Sequence, residues 1–132
     1  LFTGAKGKGT EVDGIPVRLR ETKDIMDAIL CTNITARARA SPDGTPATPI
    51  VPCGSNHNYG CAGVEIGDIL LGRNDGVYYD GVGLWDIAAG CCLLAEAGGK
   101  YRYVLRGGDP FKAVCAASTA PIFEELSAFL FP

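Results

Sequence analysis

At 132 residues the chain has room for one domain or less, and a make-up of 47% hydrophobic and 20% charged residues is ordinary for a soluble globular protein. A net charge of −3 argues against a nucleic acid polymer as the main partner. Every apolar run is broken by Gly, Asp or Glu before the roughly 18 residues that a membrane-spanning helix needs, so no membrane span is expected. No signal peptide opens the sequence, which starts at Leu1 rather than at Met, so a removed upstream segment stays open. The six cysteines (Cys31, Cys53, Cys61, Cys91, Cys92 and Cys115) include no Cys-x-x-Cys pair, and His57 is the lone histidine. They therefore read as buried reduced thiols acting as small hydrophobes rather than as a zinc site, which points to the cytoplasm.

Leu1-Phe2-Thr3 reads as the end of a strand, Gly4, Gly7 and Gly9 punctuate a turn, and Thr10 to Arg20 alternates loosely around Asp13-Gly14, giving an extended hairpin. The GAKGKGT run lacks the four-residue gap and the Gly-Lys-Ser/Thr ending of a phosphate-binding P-loop. Glu21 to Ala28 reads as a short helix entered through Thr22, followed by a buried strand at Ile29 to Ile34. Thr35 to Pro52, with its four prolines, loses all periodicity and reads as an irregular Pro-rich loop. From Gly60 a helix opens with four small residues, Gly60, Cys61, Ala62 and Gly63. It carries Val64, Ile66, Ile69 and Leu70 on its apolar side and Glu65 and Asp68 on a polar side, and ends at Gly72. Small residues at a helix start leave its N–H groups approachable for an anionic or hydroxyl-rich ligand, although the plainer reading is close helix packing.

Gly76 to Asp80 (GVYYD) reads as a strand that brings an acid to the mouth of the next helix. Trp85 to Lys100 (WDIAAGCCLLAEAGGK) then holds an acid, a helix start and a helix stop. An Asp directly before an alanine-rich apolar run is an N-cap signal, and Gly98-Gly99 closes the helix. Asp86 has two readings, cap or cation ligand, since a helix N-terminus keeps a carboxylate ionised. A strand at Tyr101 to Leu105, a turn at Arg106 to Pro110, a buried strand at Ala113 to Ala117 and a Pro-started helix at Pro121 to Leu130 complete the chain. Alternating helices and strands from residue 21 onward predict an α/β architecture with a largely parallel or mixed sheet.

The Trp85–Gly99 stretch resembles the second signature of the inositol monophosphatase family, roughly WDxAAGxxLxxEAGG, in magnesium-dependent, lithium-sensitive phosphatases of polyol and sugar phosphates. GCAG and GRNDG are similar to that family's Gly-Ser/Thr-Ala-Ala helix start and Gly-Arg-x-Asp-Gly turn, and GAKGKGT to a glycine-rich hairpin near the middle of its chains. The resemblance implies that residues 1–132 are the C-terminal lobe of an αβαβα layered sandwich. It further implies Asp86 as a Mg²⁺ ligand and Gly60, Cys61 and Ala62 as lining a polyol pocket. Cys61 replaces the family's usual hydroxyl residue. His57 stands where an Arg is common, as a substrate contact or simply a solvated polar residue. For the acid that the family places near the strand end to bind a ring hydroxyl, counting back from Asp86 selects Tyr79 and residue type selects Asp80. Neighbouring strand residues face opposite ways, so one of them enters the pocket, and Asp80 is preferred.

Asp43-Gly44-Thr45 looks like the end of the family's first signature, D-P-x-D-G-T, but Ala40 stands in place of its first Asp and the order along the chain is reversed, so Asp43 reads as a turn residue. That signature and an earlier glutamate carry most of the family's metal ligands, and neither occurs in these 132 residues. The expectation is the C-terminal portion of a magnesium-dependent phosphomonoesterase acting on inositol monophosphate or a related sugar phosphate. It has no catalytic residue in this half, is inactive without its N-terminal lobe, and is homodimeric in whole form. The alternative is a non-catalytic polyol-phosphate-binding or interaction module.

Overall fold

Phe2–Ala5 (β1), Gly9–Val12 (β2) and Ile15–Pro16 (β3) form an antiparallel sheet in that order. The tight turn between β2 and β3 sits at Asp13-Gly14, with φ of 50° and 80°, the left-handed pair that a two-residue hairpin demands. The structure is a computed structural model that describes residues 1–34 and 48–132. Beyond β3 the helix expected over 21–28 shrinks to a single 3-10 turn at Ile25–Asp27. Asp24, not Thr22, caps it by accepting from the Met26 N–H at 2.8 Å, and Ala28 is already extended, so the chain passes straight into β4 (Ile29–Thr32). Asp43 and most of the Pro-rich stretch fall outside the described residues; 48–52 are irregular, and Val51 is buried.

There follow β5 (Ser55–His57), α1 (Ala62–Leu70), β6 (Gly76–Gly83), α2 (Leu84–Glu96), β7 (Lys100–Leu105), β8 (Lys112–Ser118) and α3 (Ala120–Leu130). The second sheet is ordered β5-β4-β6-β8-β7. β4 runs parallel to β5 and β6, whereas β8 runs antiparallel to β6 and β7, so the sheet is mixed. Strand alternation divides the core. Val77, Tyr79 and Cys115 join one apolar cluster with Ile66, Ile69, Ile87 and Leu94, while Tyr78 and Ala116 join another with Ile25, Ile122 and Leu126. Phe2, Val17 and Leu19 pack onto the first cluster from the small sheet. The layers are therefore small sheet, α1 with α2, large sheet, and α3 with the 3-10 turn.

The turn between α1 and β6 ties these layers together. Asp75 is fully buried, and its carboxylate accepts from Arg20 Nε (2.8 Å) and the Ile29 N–H (2.9 Å). Its own N–H donates to Ile29 O (2.8 Å) and its carbonyl accepts from the Thr119 N–H (2.9 Å). One residue thus fixes the entry to β4, the start of β6 and the start of α3.

Glycines let α2 pass close to its neighbours. A Cβ on Gly90 would stand 2.8 Å from Ile66 Cγ2 of α1, and one on Gly99 would stand 2.5 Å from Leu94 Cδ1 and 2.9 Å from Ser118 O. Gly90→Ala sets a helix-propensity gain of about 1 kcal/mol against an overpacking loss of about 1–3 kcal/mol. The loss is expected to win, lowering the melting temperature by several degrees. Gly63→Ala in α1, where nothing lies within 4 Å of the new Cβ, is expected to raise it. Thermal melts of both variants, in the protein as its own reading frame encodes it, check the pair. A Gly90→Ala variant as stable as its parent would contradict the packing argument.

Candidate functional site

A cavity of 330 Å³ opens where the C-terminal ends of β4 and β6 meet the first turns of α1 and α2, lined by Asn33, Asn58, Gly60–Gly63, Glu65, Tyr79, Gly81–Gly83, Asp86 and Lys112. Such crevices beyond the carboxyl ends of strands are where open α/β sheets take their ligands. Neither helix start has a side-chain cap, at Cys61 or at Gly83, so first-turn N–H groups face this region without a partner from their own caps.

Gly60, Cys61, Ala62 and Asp86 come together around this one cavity. Asp86 is not the cap of α2. β6 runs on past Asp80 to Gly83, which takes the cap position with φ −71° and ψ 140°, and Asp86 becomes the third residue of the helix. Its carboxylate is exposed and makes no hydrogen bond or ion pair with the described residues. A Cβ on Gly83 would approach Asp86 Oδ2 to 2.8 Å, so the glycine leaves the room the acid needs.

Asp80, the preferred pocket acid, lies outside the lining. Its carboxylate is taken by Arg106 (Nε–Oδ1 3.0 Å) and by the Thr48 hydroxyl (Oγ1–Oδ2 2.6 Å). Asn33 clasps its backbone, donating to Asp80 O (2.8 Å) and accepting from the Asp80 N–H (2.9 Å). Tyr79 faces the cavity instead. A bulge at Gly81 (φ 72°) then shifts the register, so Val82 rather than Gly81 returns to the face of Tyr79. His57 stays outside as well, exposed, beside the Ser55 hydroxyl (3.0 Å) and stacked on Tyr59.

Glu65 reverses its expected side. It is 1% exposed while Val64, assigned to the apolar side, is 54% exposed. The Glu65 carboxylate accepts from the Tyr59 N–H (2.7 Å) and from the Tyr79 hydroxyl (2.5 Å). The spacing carried the signal: residues 62, 65, 66 and 69 share one helical face, and three of them are apolar. Asn33, Asn58 and Lys112 come from separate loops and strands, and no local pattern marks them.

The two acids that border the cavity, Glu65 and Asp86, do not make a metal cluster. Among the described residues no group of three or more His, Cys, Asp or Glu could hold a metal ion. Asp86 could serve as a single ligand, and the remaining donors of a cluster are not within this set. All six cysteines are free; Cys31, Cys91 and Cys115 are buried as expected, Cys53 is half-buried, and Cys61 and Cys92 are exposed.

Residues 1–128 match the family model described as the inositol monophosphatase family. The chain belongs to the inositol monophosphatase family. The Nus factor SuhB of Escherichia coli is 31% identical over 96% of this chain and 52% of its own length. Among solved structures, an inositol monophosphatase from Anabaena (Nostoc) superposes with a TM-score of 0.75 at 27% identity, covering 98% of this chain and 53% of that one. SuhB of Mycobacterium tuberculosis superposes with a TM-score of 0.73 at 29% identity, covering 98% and 52%. The chain thus spans about half the length of the relatives it matches. Its mixed α/β arrangement is the expected one for this family.

Burial gives this member of the inositol monophosphatase family an alkaline weak point. It pushes the Cys31 thiol from 9.0 up to about 11. Burial first, and donation to Glu65 second, hold the Tyr79 phenol well above its ordinary 10.0. Both folded-state values are raised, so the unfolded chain loses these protons first and binds fewer of them at high pH; stability therefore falls as pH rises. Full stability is expected below about pH 9, with losses from pH 9 to about 11 from Cys31 and further losses above pH 10 from Tyr79. Urea melts between pH 7 and 11 check this, with Tyr79→Phe flattening the fall above pH 10. An unchanged slope in that variant would refute the assignment.

Proposed function

We propose that this chain is the C-terminal portion of a magnesium-dependent phosphomonoesterase acting on inositol monophosphate or a related sugar phosphate. Gly60, Cys61 and Ala62 line the polyol pocket, and Asp86 supplies one metal ligand. The observation that carries the reading is the Asp86 carboxylate, without a partner among the described residues, bordering the same cavity as two helix N-termini without side-chain caps. Magnesium bound there would stabilise negative charge on a phosphate ester. The chain's own contribution is to hold Asp86 at the rim, to offer N–H groups and Lys112 to an anion, and to shape the polyol side. Asp80 has no part in it, because Arg106 and Thr48 occupy its carboxylate. Six free thiols support a reducing compartment such as the cytoplasm. Among the described residues no helix is long and apolar enough to cross a membrane.

A second reading is a non-catalytic polyol-phosphate-binding or interaction module. It is favoured by the lack, among the described residues, of any group of three or more possible metal ligands and by the name Nus factor that several SuhB relatives carry. The two readings part on activity. The 132-residue chain alone is expected to release no phosphate from inositol 1-phosphate in millimolar Mg²⁺. The protein encoded by its own reading frame is expected to turn the ester over, and Asp86→Asn to lower that rate by at least about 100-fold, beyond what loss of an outer-shell partner does. Phosphate release by the chain alone, abolished by Asp86→Asn, would refute the half-site account. No release by the encoded protein would favour the module.

A further inference from the structure

Glu65 is the one fully buried acid that borders the cavity. Among the described residues no Lys, Arg or His pairs with it. A buried carboxylate without a cation is costly by several kcal/mol unless hydrogen-bond donors surround it. An ionised carboxylate offers about four acceptor sites and no donor. The protein fills two of them, with the Tyr59 N–H on Oε1 at 2.7 Å and the Tyr79 hydroxyl on Oε2 at 2.5 Å. Tyr79 is itself 2% exposed and borders the same space, so its single proton is committed to Glu65 while its oxygen stays free to accept.

We infer that the Glu65–Tyr79 pair is the hydroxyl-selecting floor of this cavity, the feature by which a polyhydroxylated ring is chosen over a plain anion. The inference rests on the phosphomonoesterase reading and deepens it, because it names how the polyol part of the ester is recognised. An acceptor-only, negatively charged floor welcomes O–H donors and repels phosphate oxygens. A ring hydroxyl donates to the carboxylate and accepts nothing from it, which a phosphate dianion cannot imitate. Sites that hydrogen-bond a substrate hydroxyl reject analogues lacking it far more strongly than apolar pockets do, because the buried partner is then left short of a bond. Cys61 fits the same division of labour. It puts a weak hydrogen-bonding thiol at the rim, and leaves the strong acceptor at the floor.

The test uses myo-inositol and inorganic phosphate as separate probes, in millimolar Mg²⁺, with dissociation constants from ligand-observed NMR on the protein as its reading frame encodes it. Glu65→Gln keeps a carbonyl oxygen for the Tyr59 N–H, removes the charge, and turns the oxygen that accepts from Tyr79 into an NH2 donor. It is expected to weaken myo-inositol binding by roughly tenfold or more, the value of a charge-assisted hydrogen bond, with phosphate binding unchanged or tighter. Should that variant not fold, the unmodified protein decides the question: at least one mono-deoxy inositol is expected to bind roughly tenfold more weakly than inositol. Equal inositol affinity in a folded Glu65→Gln variant, a parallel loss of phosphate binding, equal binding of every mono-deoxy inositol, or no inositol binding at all would overturn the inference. Inositol binding without any phosphate release by the unmodified protein would leave the floor standing and sink the phosphomonoesterase reading instead.

Discussion

Helix α2 has to lie against α1, beneath the small sheet and above the large one, and glycines just before it, within it and just after it leave the room for this close fit. Gly83 faces the Asp86 carboxylate and the Trp85 ring, Gly90 faces Ile66, and Gly99 faces Leu94 and the Ser118 carbonyl. Protein interiors are packed as densely as organic crystals, so a helix seated this closely has no slack to slide or roll. The rest of the site inherits that rigidity. Asp86 sits one turn into α2 and its direction follows from where Gly83 ends β6. The cavity exists because α1 and α2 start side by side, and they do so because Gly90 lets them touch.

Buried polar groups then select this arrangement over near alternatives. Glu65, Asn74 and Asp75 are all fully or almost fully buried and lie between α1 and β6. Asn74 Nδ2 donates to the Glu65 carbonyl (3.0 Å) and to Cys31 Sγ (3.3 Å), Asp75 takes four hydrogen bonds with three separate segments, and Glu65 reaches Tyr59 and Tyr79. An unmade bond at such a depth costs about 1–3 kcal/mol, so shifting α1 by even one residue would forfeit several at once. Packing sets how near the helices come; these bonds set their register. The same bonds that hold α1 also aim the Glu65 carboxylate at the cavity, so register and recognition are one feature.

Legibility in the sequence followed how local each cause is. Gly98-Gly99 stops α2 with a left-handed glycine, and Asp13-Gly14 turns a hairpin, because both effects act within a few residues. The small-residue start of α1 was readable for the same reason. Glu65 departs from the rule that charge marks exposure, since its helical spacing with Ala62, Ile66 and Ile69 points inward. Counting back from Asp86 selects Tyr79, which faces the cavity, whereas residue type selects Asp80, whose carboxylate pairs with Arg106 and Thr48 on the other face of the strand. The helix expected over 21–28 failed on a tertiary constraint: Arg20 is held by Asp75 and Ile29 by the same carboxylate, which leaves room for one 3-10 turn between them. Long-range pairings such as Arg106 with Asp80 leave no trace in local pattern at all.

The rim of the cavity sets the exposed acid Asp86 beside open apolar surface. Trp85, next to Asp86 in the first turn of α2, is 65% exposed, and Phe111, whose ring lies 6.0 Å from it, is 58% exposed. Lys112 lines the cavity and holds its ammonium over the Trp85 ring, so this aromatic pair shares an edge with the candidate site. Tyr101 and Tyr103 continue the exposed surface along β7, beside Leu84 and Ala88 of α2. Burying a large side chain stabilises by roughly 1.5–3 kcal/mol, whereas bringing further carboxylates next to Asp86 is unfavourable until a cation neutralises them. Under the proposed reading, covering Trp85 and Phe111 would offset the repulsion of any acids brought beside Asp86.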